Sequence, residues 1–226
     1  AFNRAFVEQG LDWIWDPEIY KRLLSIPGGS LRMKTFAQQQ GQLLSDAQFA
    51  QLRISKQRHY LDAVRAGAVS LRPGVERLLR ELQARAIPQW IVTSSGGPSV
   101  SALLDTLFPG GDHPFAGVIS ADDVSRHKPN PDPYLKALEC SNTDPDSALA
   151  FEDSTPGLRS AGAAGLRCLL MPSPWDQELH RYQDQAVAVL DHLGSALIPC
   201  TVSSGPPCLD GLVTLEYLQM LFVLPD

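Results

Sequence analysis

Ala148-Leu149-Ala150-Phe151-Glu152-Asp153-Ser154-Thr155-Pro156-Gly157 is the stretch whose reading decides the fold of this chain. Four apolar residues, Ala148 to Phe151, suit a short buried strand that ends abruptly in two carboxylates. Asp153-Ser154-Thr155-Pro156 then reads as a helix start, with a capping side chain followed by proline in the first turn. The helix runs over Thr155 to Ala164, and Cys168 to Met171 forms the next apolar strand. Apolar strands separated by helices indicate parallel pairing.

Working upstream from this unit, the same alternation continues. A helix starts at Pro73 with Val75, Leu78, Leu79 and Leu82 on one face, and Gln89 to Val92 is a strand. Ser99 to Leu107 is a helix, Gly117 to Ser120 a strand and Pro131 to Leu138 a helix. The fold class is therefore α/β, a doubly wound and mainly parallel sheet. Downstream, Ala186 to Leu190 reads as an edge strand, Ser203 to Pro207 as a loop and Leu212 to Val223 as a closing helix. The first third differs. Helices are expected over Ala1 to Gln9, from Asp16 as cap to Ser25, from Ser30 after Gly28-Gly29, and from Asp46 as cap to near Gly67. Residues 1–67 thus form a small helical module and residues 68–226 the α/β core.

The chain has 226 residues and a formal net charge of -6, so it presents no basic surface for nucleic acid or an anionic membrane. No apolar run reaches the length of about 20 residues that a membrane span needs. Cys140, Cys168, Cys200 and Cys208 are widely spaced and contain no CxxC pair, which indicates free thiols and neither a zinc site nor a redox dithiol. A soluble cytoplasmic monomer is expected, or a stromal one in a plant or alga. The chain starts without Met and directly in helical pattern, so its natural beginning is expected upstream.

Ligands of doubly wound sheets sit beyond the carboxyl ends of the strands. Three strands end in complementary chemistry there: Thr93-Ser94-Ser95, Glu152-Asp153, and the Asp122 to Lys128 stretch after Ser120. Hydroxyls and a lysine suit phosphate oxygens, and a carboxylate pair suits a hard divalent cation. Each has a plainer reading. Glu152-Asp153 also serves as a solvated turn or helix cap, Lys128 before Pro129 as a loop lysine, and Thr93 to Gly97 as a polar turn. His127 reads as a solvent-facing loop residue.

Taken in order, Ile91-Val92-Thr93-Ser94-Ser95, Lys128-Pro129-Asn130-Pro131-Asp132-Pro133-Tyr134 and Ala150 to Gly157 resemble the second, third and fourth motifs of the haloacid dehalogenase superfamily. The helical third resembles the cap of its CbbY-like branch, near β-phosphoglucomutase, in Ala1 to Phe6, Gly10-Leu11-Asp12-Trp13 and Gly28-Gly29. Asp191-His192-Leu193-Gly194 is similar to that branch too.

The resemblance implies that Thr93 hydrogen-bonds the transferring phosphoryl group, with Ser94 and Ser95 nearby, and that Lys128 steadies its charge. It implies Mg2+ held by Glu152 and Asp153, and substrate contacts from Lys56 and Arg32 in the cap. Ser30 stands where that branch usually has a lysine. The first motif, DxDGT, supplies the nucleophilic aspartate and is absent; Asp144-Pro145-Asp146 has the spacing but not the context. The central first strand is expected to be missing with it, and the chain as it stands to be inactive. The implied activity is a magnesium-dependent phosphatase of a phosphorylated sugar acting through an aspartyl-phosphate, with xylulose 1,5-bisphosphate as leading substrate. A sugar phosphomutase and a non-catalytic phosphate- or metal-binding protein are the alternatives.

Overall fold

The structure, a computed structural model, describes residues 1–24, 26, 28–176 and 179–223. Two compact units emerge, one spanning Ala1–Val69 together with Trp175, the other beginning at Ser70.

The helical unit holds α1 (Phe2–Glu8), α2 (Pro17–Leu23), α3 (Gly29–Gln39) and α4 (Asp46–Arg65). Asp16 caps α2 through its Oδ1, which accepts from the Ile19 amide at 2.7 Å. The expected end of that helix at Ser25 lies outside the described residues. Helix α4 is capped by Ser45 rather than Asp46: Ser45 and Gln48 exchange side-chain and backbone hydrogen bonds in a capping box, leaving Asp46 as the first helical residue. An aromatic cluster fills the centre, where Phe6 is fully buried and meets Trp13 and Trp15 edge-on at 5.2 and 5.1 Å. Asn3 fixes the Trp15 backbone by accepting from its amide and donating to its carbonyl, both at 2.9 Å. At the edge of the cluster Glu8 accepts from Ser55, Arg58 and His59. The first two of those bonds do most to hold its carboxyl at about 2, far below the usual carboxylate range.

The second unit contains α5 (Val75–Ala84), β1 (Gln89–Val92), α6 (Gly97–Leu107), β2 (Phe115–Ile119), α7 (Asp132–Ser141) and β3 (Leu149–Glu152). It continues with α8 (Thr155–Ala163), β4 (Arg167–Leu170), β5 (Ala188–Leu190), β6 (Val202–Ser204) and α9 (Leu215–Phe222). The α/β class and the mainly parallel pairing read from the sequence hold: β1 with β2, β3 with β4 and β4 with β5 are all parallel. Among the described residues only β5 with β6 is antiparallel. Side chains alternate across the sheet, as the two-residue period of a strand requires. Leu169, Ala188 and Leu190 pack with α5 and α9 on one face, while Cys168, Leu170 and Val189 pack with α7 and α8 on the other.

Three expectations change. Ser203 and Ser204, read as the start of a loop, belong with Val202 to strand β6, because an antiparallel ladder to Val189 and Leu190 satisfies a polar segment that has no strand signature of its own. β5 is consequently interior, not an edge. Strand β2 begins two residues earlier than expected and carries Gly117 opposite Trp90. A side chain at Gly117 would stand 2.2 Å from the Trp90 ring, so the glycine admits the indole.

The ladders fall into two groups among the described residues, β1-β2 and β3-β4-β5-β6. The free edges of β1 and β3 line one groove of about 570 Å3, with walls from Leu78 and Leu82 of α5, Tyr134 and Leu138 of α7, and Leu218 and Phe222 of α9. Protein cores rarely keep voids larger than a water molecule. The groove is apolar and is flanked by two strand edges without a ladder partner among the described residues.

Phe6→Ala removes the centre of the helical unit's aromatic cluster and is expected to destabilise that unit by about 3–5 kcal/mol. Urea unfolding followed by tryptophan emission measures it, and a change under about 1 kcal/mol would place Phe6 outside the structural core.

Candidate active site

The carboxyl ends of β1 and β3 are joined by one side chain. Lys128 lies in the loop before α7, on the amino side of a cis Lys128-Pro129 bond, and its Nζ donates to the Val92 carbonyl at 2.9 Å and to Glu152 Oε1 at 2.5 Å. Both side chains are more than nine-tenths buried. The Tyr134 hydroxyl donates to the same Glu152 oxygen at 2.5 Å, and the Tyr134 ring lies 4.8 Å from the lysine nitrogen. Burial, then the charge and hydrogen bond of Glu152, push the Tyr134 hydroxyl far above its ordinary range, so it stays a proton donor.

Helix α8 closes over this pair. A side chain at Gly157 would fall 1.7 Å from Glu152 Oε2, so only glycine lets the carboxylate tuck under the first turn. Ser154 caps that turn by accepting from the Gly157 amide at 3.3 Å. Neither Gly157 nor Tyr134 has a role assigned from sequence. Their signal was present in the motif wordings, but proximity to Glu152 exists only in the fold.

Asp153, one residue on, faces solvent. Desolvation by the surrounding sheet edge, followed by the charge of Glu152, raises its pKa, while Arg72 and Lys128 pull the other way. A hard cation fits this carboxylate, since positive charge would relieve both causes. Glu152 fits less directly, with one oxygen shared by Lys128 and Tyr134 and the other against Gly157. Among the described residues no cluster of three His, Cys, Asp or Glu gathers at any point.

On the β1 side, Thr93 is half-buried, with its amide on the Ile119 carbonyl and its Oγ1 accepting from the Ser95 amide at 3.1 Å. Ser94 and Ser95 are exposed. The first amide of α6, at Gly97, is taken by Asp122 at 2.8 Å. The structure therefore assembles Thr93, Lys128, Glu152 and Asp153 at the carboxyl ends of two strands flanking the groove.

Arg32 and Lys56 belong to the helical unit. Lys56 Nζ sits over the rings of Phe2 and Tyr60 at 5.3 and 5.1 Å, and Arg32 Nε donates to the Ile26 carbonyl at 2.8 Å. Burial lowers the pKa of both, and the neighbouring Arg32 charge lowers that of Lys56 further.

Comparison with known proteins places this geometry. The family model described as haloacid dehalogenase-like hydrolase matches residues 1–171. The chain is 41% identical to protein CbbY of Rhodobacter capsulatus over 177 residues, covering 77% of this chain and 78% of that one. It is 36% identical to protein CbbY of Cupriavidus necator over 207 residues, covering 88% and 80%. Among solved structures, CbbY from Rhodobacter sphaeroides in complex with xylulose 1,5-bisphosphate superposes with a TM-score of 0.78 at 32% identity, over 86% of each chain. A β-phosphoglucomutase from Clostridium difficile shares the fold at a TM-score of 0.71 and 15% identity, over 98% of this chain and 89% of that one.

Breaking a buried ion pair on one side leaves an uncompensated charge. Lys128→Met is expected to destabilise the protein by about 3–5 kcal/mol, and Lys128→Met with Glu152→Gln by clearly less. Gly157→Ala should cost about 1–3 kcal/mol by overpacking against Glu152. Urea denaturation of the three variants tests this, and a Lys128→Met chain as stable as the parent would contradict the pairing.

Proposed function

Because the chain belongs to the haloacid dehalogenase-like hydrolases, is 41% identical to one CbbY protein and shares the fold of another, we propose that its site hydrolyses a sugar bisphosphate through a covalent aspartyl-phosphate. The observation that supports this most is the buried Lys128, which bridges the ends of β1 and β3 beside the exposed Asp153 and the Thr93 to Ser95 hydroxyls.

The groove between β1 and β3 receives a strand bearing the nucleophilic aspartate. Seated there, its carboxylate leaves the strand end next to Lys128 and Thr93. Attack on phosphorus breaks the bond to the sugar oxygen, which takes a proton from the second aspartate of the DxDGT strand; that aspartate then takes a proton from the water that opens the acyl-phosphate, returning the carboxylate and free phosphate. Lys128, held by Glu152 and the Val92 carbonyl, stays charged and fixed, so its field on the phosphoryl oxygens needs no reorganisation during the step. The Thr93 hydroxyl donates to one of those oxygens. Asp153 is the ligand we assign to Mg2+, which supplies Lewis-acid neutralisation of phosphoryl charge. Glu152 acts behind it by orienting Lys128.

Residues 1–67 act as the specificity module, with Arg32 and Lys56 binding the second phosphate group. Substrates with one phosphate would lose that contact. Xylulose 1,5-bisphosphate, the sugar bound in the similar Rhodobacter structure, is the leading candidate.

Phosphate release from a panel of sugar mono- and bisphosphates tests the reading. The 226-residue chain alone is expected to give none, and the chain carrying an amino-terminal DxDGT strand to prefer bisphosphates. Turnover by the unextended chain would remove the strand-borne nucleophile from the scheme. In the extended protein Lys56→Met should raise KM for a bisphosphate about tenfold or more with little change in kcat, as expected for lost uniform binding. Asp153→Asn should lower kcat steeply and weaken dependence on added Mg2+; unchanged kinetics would exclude Asp153 as a ligand.

A further inference from the structure

Cys200 and Cys208 are eight positions apart, on opposite sides of strand β6, and the sequence offers no reason to pair them. The fold does. Their thiols lie within hydrogen-bond reach of each other. The backbone ties them from a second direction: the Cys200 amide donates to the Gly211 carbonyl at 2.8 Å, and the Gly211 amide donates to the Cys208 carbonyl at 3.2 Å. Both side chains pack on the cluster formed by α5, α9 and the sheet, and both line one surface cavity of about 420 Å3. Cys140 is exposed and Cys168 is buried in the opposite cluster, so neither competes for these sulfurs.

We propose that Cys200 and Cys208 form a reversible disulfide that clamps the edge strand β6. All four cysteines are free thiols in the structure, as the sequence implied, and the proposal concerns what this one pair can form. Formation proceeds by exchange with a small-molecule disulfide. One cysteine, as thiolate, attacks a sulfur of the reagent and expels one thiolate, giving a mixed disulfide. The second cysteine attacks the protein sulfur of that bond and expels the other thiolate. The two cysteine protons end on the two expelled thiols, and two electrons pass from the cysteine sulfurs to the reagent.

The surroundings set the rate. Burial raises both thiols, with Cys208 pushed up to about 12, where the hydrogen bond it donates to Cys200 adds to desolvation. Little thiolate exists near neutrality, so the pair stays reduced against weak oxidants and closes faster as pH rises. Closure ties a loop of nine residues that contains the whole of β6. The Gly205 turn in that loop approaches the Val187 carbonyl so closely that a side chain there would stand 2.8 Å from it.

Incubation of the full chain with oxidised glutathione at pH 8.5 tests the pairing. No Lys or Arg follows Arg181, so both cysteines fall on one tryptic peptide, and its loss of two hydrogens reports the bond. That loss is expected in the parent and in Cys140→Ser, reversed by dithiothreitol and abolished in Cys208→Ser. The oxidised protein should melt about 5–10 °C above the reduced one. Separate glutathione adducts on Cys200 and Cys208, or no modification of either, would overturn the proposal. So would a disulfide that leaves the melting midpoint unchanged.

Discussion

A single buried charge pair organises the α/β unit. Lys128 and Glu152 are removed from water at the point where β1 and β3 end, and neither could be there alone. Desolvation of an isolated ammonium or carboxylate costs several kcal/mol, so each obliges the other to keep its position. The Val92 carbonyl and the Tyr134 hydroxyl complete the coordination and make the geometry specific. Such a pair adds little net stability compared with an apolar isostere. What it contributes is placement, because a lysine from a loop is pinned between two strands that do not bond to each other.

That placement depends on the packing around it. The alternation of Cys168, Leu169 and Leu170 between the two faces of β4 commits the sheet to a helix layer on each side. Helix α8 can then start directly over Glu152, which is possible because Gly157 has no side chain. Helix α7 brings Tyr134 under the same carboxylate. The groove between β1 and β3 is the counterpart of this arrangement, with apolar walls from three helices and a charged mouth. A strand seated there would run from the apolar floor to the lysine and the exposed Asp153.

Much of this was legible beforehand, for identifiable reasons. Short apolar runs separated by capped helices have few alternatives to a parallel sheet, and carboxylates placed directly after a strand must lie at its carboxyl end. Glu152 and Asp153 followed from that rule, whereas the roles expected of Thr93 and Lys128 came from the family resemblance. Strand β6 was not legible, because Val202 to Ser204 has no apolar alternation and becomes a strand only by pairing with β5. The cap of α4 was displaced by one residue because Ser45 and Gln48 together satisfy more donors than Asp46 alone.

The sequence by itself determined every strand but β6, the helices, their order and the chemical types available at the strand ends, since these depend on local periodicity, capping and composition. Only the tertiary structure decided which of those groups meet. Glu152 turns inward to Lys128 while Asp153 turns outward, although they are neighbours in a symmetric-looking pair, because successive residues leaving a strand point to opposite sides. Cys200 reaches Cys208 because β6 folds back between them. Distance in space is set by the packing of whole elements, and no local pattern encodes it.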